Sequence, residues 1–324
     1  MRRRSCQLLA VAIMAAAVAG CGATSDPATG VALSALDVTA PPPKPLPPTK
    51  SCVDPHLTAS LRPPATLPAP ARMPAGSFMA TIQRRGYLIA GVNAGNLHFG
   101  SLNPFTGQIE GFEIDLVRQV AGAIFGNPNA FQLRSLTINQ RIPFVQQGNV
   151  DIAVDAITIT CARKKQVDFS TVYYDAKQRV LVPVGSPVRG VQDLGGKRVC
   201  AGAGSTPLDV IAKVQPRAIE VPKPQTIDCL VALQQDRVAA ISTDDSILKG
   251  FTAQDPNTRI VGLPVGGALG DVPYGMAISK SHTGFVRFVN GVLAQIRANG
   301  TWRSLYTHWL GRPTLNPPPA QYDG

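Results

Sequence analysis

The chain has 324 residues, 44% hydrophobic and 16% charged, which is enough for a sizeable core in one or two domains. Its net charge of +11 is spread along the sequence and aromatic residues make up only 6%, so a nucleic-acid-binding face is not expected. There is no Cys-x-x-Cys pair and no histidine at ligand spacing among the four present, so neither a metal nor another cofactor is expected.

The first 21 residues, MRRRSCQLLAVAIMAAAVAGC, place a basic tip before a short apolar run and then small residues. That order describes a secretory signal, too short to span a membrane as a helix. Its end, Val18-Ala19-Gly20-Cys21, is similar to a bacterial lipobox, in which Cys21 is lipidated and becomes the mature N-terminus. Residues 22–75 follow as a low-complexity stretch. Twelve of the 29 prolines lie between Pro41 and Pro74, which favours an extended tether.

From Gly76 the pattern becomes globular. A helix is expected over Gly76–Arg85 with Ser77 as its cap, then a strand over Tyr87–Val92 and a glycine-rich loop from Asn93 to Asn103. Gly107 marks a hairpin turn. Phe112 to Val117 leads into an amphipathic helix that runs to Ile124, and alternation would put Glu113 and Asp115 on one face of a strand. Phe131–Leu136 reads as the next strand. Arg141-Ile-Pro143 opens a short helix, because Pro143 suits a first helical turn, and Gly148 closes it. A short strand over Val150–Val154 runs into Asp155-Ala-Ile-Thr-Ile-Thr160, with Arg163 three residues on.

That last arrangement suits a planar anion. The strand end offers main-chain groups, Thr158 a hydroxyl, and Arg163 a fork of N–H donors matched to a carboxylate. Read locally, it is also a helix capped by Thr160 with solvated charges. Further on, Gln178–Pro183 reads as a strand and Gly190–Lys197 as a turn-rich helix. The strand Arg198–Ala201 ends in Gly202-Ala-Gly-Ser205-Thr206-Pro207 before a helix. Glycines, hydroxyls and a helix N-terminus together make an anion site, but neither the Rossmann nor the P-loop spacing is met. A helix over Thr226–Gln235 and a strand over Val238–Ile241 precede Thr243-Asp244-Asp245, where Asp245 suits a helix N-cap. Helices over Phe285–Ala298 and Trp302–Leu310 end the patterned region, and the tail after Arg312 is proline-rich.

Two stretches carry a family resemblance. Gly111-Phe-Glu-Ile-Asp-Leu116, followed by Val120, Ala121 and Ile124, and the run Ile157-Thr-Ile-Thr-Cys-Ala-Arg-Lys-Lys-Gln-Val-Asp-Phe-Ser170 closely resemble the two signatures of solute-binding family 3. These are the amino-acid-binding receptors of ABC importers. The resemblance spans roughly Gly76 to Arg312 and is greatest to actinobacterial glutamate- and glutamine-binding lipoproteins.

It implies an α/β, two-lobe periplasmic-binding-protein type II fold joined by two crossing strands. Residues 76–180 and 276–312 would form lobe 1, 181–275 lobe 2 and 313–324 a loose tail. The crossings would be at Gln178–Pro183 and Val272–Ile278. The implied ligand set is Ala156, Thr158, Arg163 and Arg141 from lobe 1, with Asn93 and Phe99 from its glycine-rich loop, and Ser205, Thr206 and Asp244 from lobe 2. Asp244 would hold a ligand ammonium. Arg141 stands where relatives that bind glutamate or aspartate present an arginine to the ligand's side-chain carboxylate, so an acidic amino acid is expected, with glutamine or asparagine weaker. The expected partners are an ABC permease or a membrane sensor protein, reached by a lipid-anchored monomer on the extracytoplasmic face of the cell membrane. The competing expectation on the same fold is an enzyme, a cyclohexadienyl or arogenate dehydratase, which needs a catalytic acid in the cleft. Once the signal is removed, Cys52, Cys161, Cys200 and Cys229 allow three pairings; Cys200–Cys229, within one lobe, and Cys52–Cys161 are expected.

Overall fold

The computed structural model describes residues 54–265, 270–311 and 316–323, all within one compact unit. The expected signal, Cys21, most of the tether and Cys52, and with it the Cys52–Cys161 pairing, lie outside the described residues.

The first lobe begins with α1 (Phe78–Arg85), capped by the Ser77 hydroxyl, which accepts from Ala80 N–H, and closed by the left-handed Gly86. Then come β1 (Leu88–Val92), a small antiparallel sheet of β2 (Gly95–Asn96), β3 (Gly100–Leu102) and β4 (Ile109–Glu110), and α2 (Phe112–Phe125). β5 (Phe131–Ser135), α3 (Arg141–Gln146), β6 (Ile152–Ala153), α4 (Cys161–Lys164) and β7 (Asp168–Phe169) complete the first pass. Gly111 is the hinge between β4 and α2. Its φ of 141° is open to glycine, and a Cβ there would meet the Phe99 carbonyl at 2.3 Å. Glu113 and Asp115 therefore sit in the first turn of a helix rather than on a strand. The negative charges complement the helix dipole there.

β8 (Tyr174–Pro183) carries the chain across. The second lobe holds β9 (Arg198–Gly202), α5 (Thr206–Val214), β10 (Ile219–Lys223), α6 (Ile227–Gln234), β11 (Ala240–Asp244), α7 (Asp245–Gln254) and β12 (Thr258–Val261). β13 (Asp271–Tyr274) returns antiparallel to Tyr174–Lys177 and leads to β14 (Ala277–Ile278), then to α8 (Thr283–Ala298) and α9 (Thr301–Leu310).

Each lobe is built on one sheet, ordered β5-β1-β6-β14-β7 in the first and β10-β9-β11-β8-β12 in the second. The parallel neighbours β1, β5 and β6, and β9, β10 and β11, put their C-terminal ends at the cleft, where open α/β sheets bind ligands. At the crossing, Tyr174 and Tyr274 stack with ring centroids 5.5 Å apart. β10 and β12 were not read from the sequence.

Cys200 on β9 and Cys229 on α6 form a disulfide that ties helix to sheet in the second lobe. Closing a loop with a sequence separation of 29 constrains the unfolded chain by roughly 3 to 4 kcal/mol. Replacing both cysteines with serine is expected to lower stability by about that much, read as a lower urea midpoint.

The segment from residue 54 to 75 packs on the first lobe instead of hanging free. Ser60 is buried, its hydroxyl donating to the Phe169 carbonyl at 2.6 Å and accepting from Asn290 Nδ2 at 2.8 Å. Leu61 and Leu67 pack against the core. The tail also departs from a loose end. Ser60 N–H donates to the Gln321 carbonyl and Asp323 N–H to the Ser60 carbonyl, so residues 321–323 lie beside residue 60. Asparagine Asn290, in the middle of α8, is fully buried because it serves this junction: its side chain also donates to the Leu61 carbonyl and accepts from Thr171 N–H.

Candidate functional site

The strand ends meet around one cavity between the lobes. The first lobe contributes Asn93, Asn96, Arg141, Asp155, Ala156, Thr158 and Arg163. The second contributes Ser205, Thr206, Thr243 and Asp244, with Ile138, Thr226 and Ile247 filling in. Of the nine ligand candidates named from the sequence, eight line this cavity. Phe99 does not. It is fully buried in the first lobe's core, edge-on to Phe112, Tyr174 and Tyr274, because the turn after β2 directs it inward as an apolar anchor.

Arg163 reaches across the cleft. Its main-chain N–H is capped by Thr160 Oγ1, while its guanidinium donates to the Thr158 carbonyl at 2.9 Å and to the Gly204 carbonyl of the other lobe at 3.1 Å. The local cap and the functional reach are thus both present. Burial, with Arg141's charge beside it, pushes the Arg163 guanidinium down to about 9, so it stays cationic at neutral pH. Thr158 and Thr206 hydroxyls meet across the cleft at 2.9 Å. Ser205 serves double duty: its hydroxyl lines the cavity and caps α5 by accepting from Leu208 N–H. At Gly202 a Cβ would meet Ile138 Cδ1 at 2.1 Å, so the missing side chain makes room for the facing lobe's isoleucine.

Asp244 ends β11 at the N-cap position of α7 but makes no side-chain cap bond. One oxygen accepts from Tyr274 O–H at 2.6 Å; Oδ1 is buried with no partner among the described residues. Burial raises its carboxyl to about 6. Asp245, expected as the cap, is instead the first helical residue and accepts from Lys177 N–H at 3.0 Å. Gln225 is a cleft residue the sequence reading missed. It accepts from Asn93 Nδ2 and donates to the Leu136 carbonyl, both at 2.9 Å, joining the lobes beside the cavity.

Beneath the cavity lies Glu113, fully buried. Its Oε1 accepts Ala156 N–H at 2.6 Å and the Tyr173 hydroxyl. Ala156 has a φ of 44°, a left-handed conformation that a side chain disfavours, and the bond to Glu113 helps hold it. Burial raises both Glu113 and Asp155 to about 7. Glu113, Asp155 and Asp244 all start from ordinary values of 4.5, 3.8 and 3.8, so between about pH 4 and 7 the folded chain binds more protons than the unfolded one. Their stabilising contribution is complete below that window and is lost as pH rises through 6 to 7. The melting temperature is therefore expected to rise between pH 8 and pH 5.5, by less in Glu113→Gln than in the parent chain; differential scanning fluorimetry checks both.

Comparison with known proteins agrees with this geometry. Residues 88–312 match the model of bacterial extracellular solute-binding proteins, family 3. The ABC transporter glutamine-binding protein GlnH of Bacillus subtilis is 34% identical over 72% of this chain and 84% of its own length. The glutamine-binding protein of Geobacillus stearothermophilus is 37% identical over 61% and 75%. The glutamate-binding protein GluB of Corynebacterium glutamicum is 27% identical over 74% and 83%. Among solved structures, an ancestral arginine-binding protein bound to glutamine superposes with a TM-score of 0.65 at 29% identity, covering 70% of this chain and 99% of that one. With its two sheets, its cleft at the strand ends and this match over most of its length, the chain belongs to the bacterial extracellular solute-binding proteins of family 3.

Proposed function

We propose that this chain is a receptor for a polar α-amino acid of the glutamate, aspartate, glutamine and asparagine group, which it captures by closing its two lobes. One observation carries the reading. Arg163 from the first lobe and the half-unpartnered carboxylate of Asp244 from the second line the same cavity. They are a matched pair for the α-carboxylate and α-ammonium of one ligand. Thr158, Thr206 and Ser205 supply hydroxyls around the carboxylate, and the Ala156 carbonyl a further acceptor for the ammonium. The relatives named above support the class, since their names record glutamine and glutamate.

A ligand held by both lobes binds the closed form in preference to the open one and so shifts the population toward closure. Closed protein then serves a membrane partner, an ABC permease or a sensor, from a lipid anchor at Cys21 on the extracytoplasmic face. The protein works as a monomer. Calorimetric titration with the full set of standard amino acids tests the reading. Saturable binding of members of this group, lost in Asp244→Ala, is expected. No heat from any amino acid would overturn it.

A further inference from the structure

The helix that carries Arg163 has little framework of its own. α4 is a single turn of four residues, Cys161–Lys164, and a turn that short does not hold its shape in water unaided. It is braced by a segment outside the family match, which begins at residue 88. Residues 54–59 form hydrogen-bonded turns, with Leu57 N–H donating to the Asp54 carbonyl and Ala59 N–H to the His56 carbonyl. Lys164 Nζ reaches back to this segment, donating to the Ala59 carbonyl at 3.0 Å and to the His56 carbonyl at 3.4 Å. Local pattern reads Lys164 as a solvated charge, yet it is half-buried. Two further contacts bracket these bonds. Leu57 packs against the apolar cluster to which Ile157, Ile159 and Val167 belong, residues that flank α4 in the chain. The Ser60 hydroxyl donates to the Phe169 carbonyl at 2.6 Å, where the loop rejoins the sheet at β7.

Arg163 and Lys164 are neighbours on this one turn, and they point their charges to opposite sides of it. The Arg163 guanidinium goes to the cavity, while the Lys164 ammonium is spent on the segment behind, and Lys164 does not line the cavity. A planar fork of donors matches a carboxylate only when it is held at the right angle, so where α4 sits decides how well Arg163 binds. Bonds from an ammonium to carbonyls are among the stronger ones a half-buried side chain makes. We propose that residues 56–60 are a positioning strap for the binding loop, with Lys164 as its link. Part of the receptor's affinity for its amino acid is then set from outside the cavity, by a segment that precedes the matched region. The proposal rests on the amino-acid-receptor reading above. Lys164 acts in it as a positioning residue, through Arg163.

The test is calorimetry on the purified whole chain, with glutamine, glutamate, asparagine and aspartate as titrants, joined to amide hydrogen exchange. Lys164→Met keeps the apolar stem and removes the donors. It is expected to weaken binding of the tightest titrant by about threefold to thirtyfold. The amides of residues 164–167, which close α4, should exchange faster, while β9 and α6 of the second lobe exchange as in the parent chain. Lys164→Arg restores donors and should recover most of the affinity. Leu57→Ala loosens the strap without changing any charge and is expected to weaken binding in the same direction. Parental affinity in Lys164→Met would overturn the proposal and leave the receptor reading intact. So would a loss in Lys164→Met alone, with Leu57→Ala binding and exchanging like the parent, because the lost charge and not the strap would then be acting. Absence of binding by all four titrants in the parent chain would instead overturn the receptor reading, and exchange in the two variants would still decide whether the strap holds the loop.

Discussion

Arg163→Ala is expected to abolish amino-acid binding while the protein stays folded. The guanidinium is fixed by two main-chain carbonyls, one on each side of the cleft, so it meets an incoming carboxylate with its fork already oriented. Removing it leaves the ligand's carboxylate buried without a cation, a loss of about 3 to 5 kcal/mol. That corresponds to roughly a hundredfold to several thousandfold in affinity. The fold should survive because α4 is capped through the main-chain N–H of residue 163, which alanine retains. Arg163→Lys keeps the charge but not the fork and should bind only weakly. Calorimetry reads the affinities and circular dichroism the melting. Near-parental affinity in a folded Arg163→Ala would remove this residue from the site.

Glu113→Ala is expected to damage stability and binding together, although Glu113 does not line the cavity. Truncation strips the Ala156 N–H and the Tyr173 hydroxyl of their shared acceptor in a fully buried place. Leaving such groups unsatisfied costs about 1 to 3 kcal/mol each. Ala156 would also lose a tie that holds its left-handed backbone, and the binding loop begins there. Urea unfolding should show a loss of about 2 to 5 kcal/mol, and titration a weaker affinity even where the variant is fully folded. Glu113→Gln keeps one acceptor oxygen and should recover part of both. A variant that melts and binds like the parent would show that the loop holds its shape without this carboxylate.

Much of this architecture was legible. The periodic helices and the strand at residue 88 were readable from pattern, whereas the eight candidates that line the cavity were carried over from the family resemblance. What was missed has physical reasons. β10 carries Pro222, which a paired strand tolerates only at an edge, and β10 is an edge strand. β12 has four residues, too few to show a period. Phe99 lies in a glycine-rich loop, where nothing local tells an inward ring from a ligand-facing one. Asp155 was readable in principle. A carboxylate inside Ile152-Ala-Val-Asp-Ala-Ile157 has no cheap place in an apolar run unless something nearby answers its charge. Its partner Arg141 is fourteen positions away, and only the fold brings them together.

The junction at Ser60 has a mechanical meaning. Residues leading in from position 54 and residues 321–323 are stitched to the same spot, and Asn290 of α8 and the Phe169 carbonyl complete the knot. Any tug arriving along the preceding chain is taken up by lobe 1 at this knot, before it reaches the crossing strands. On the proposed mechanism of lobe closure from a lipid anchor, lobe 1 is then the held jaw and lobe 2 the one that swings.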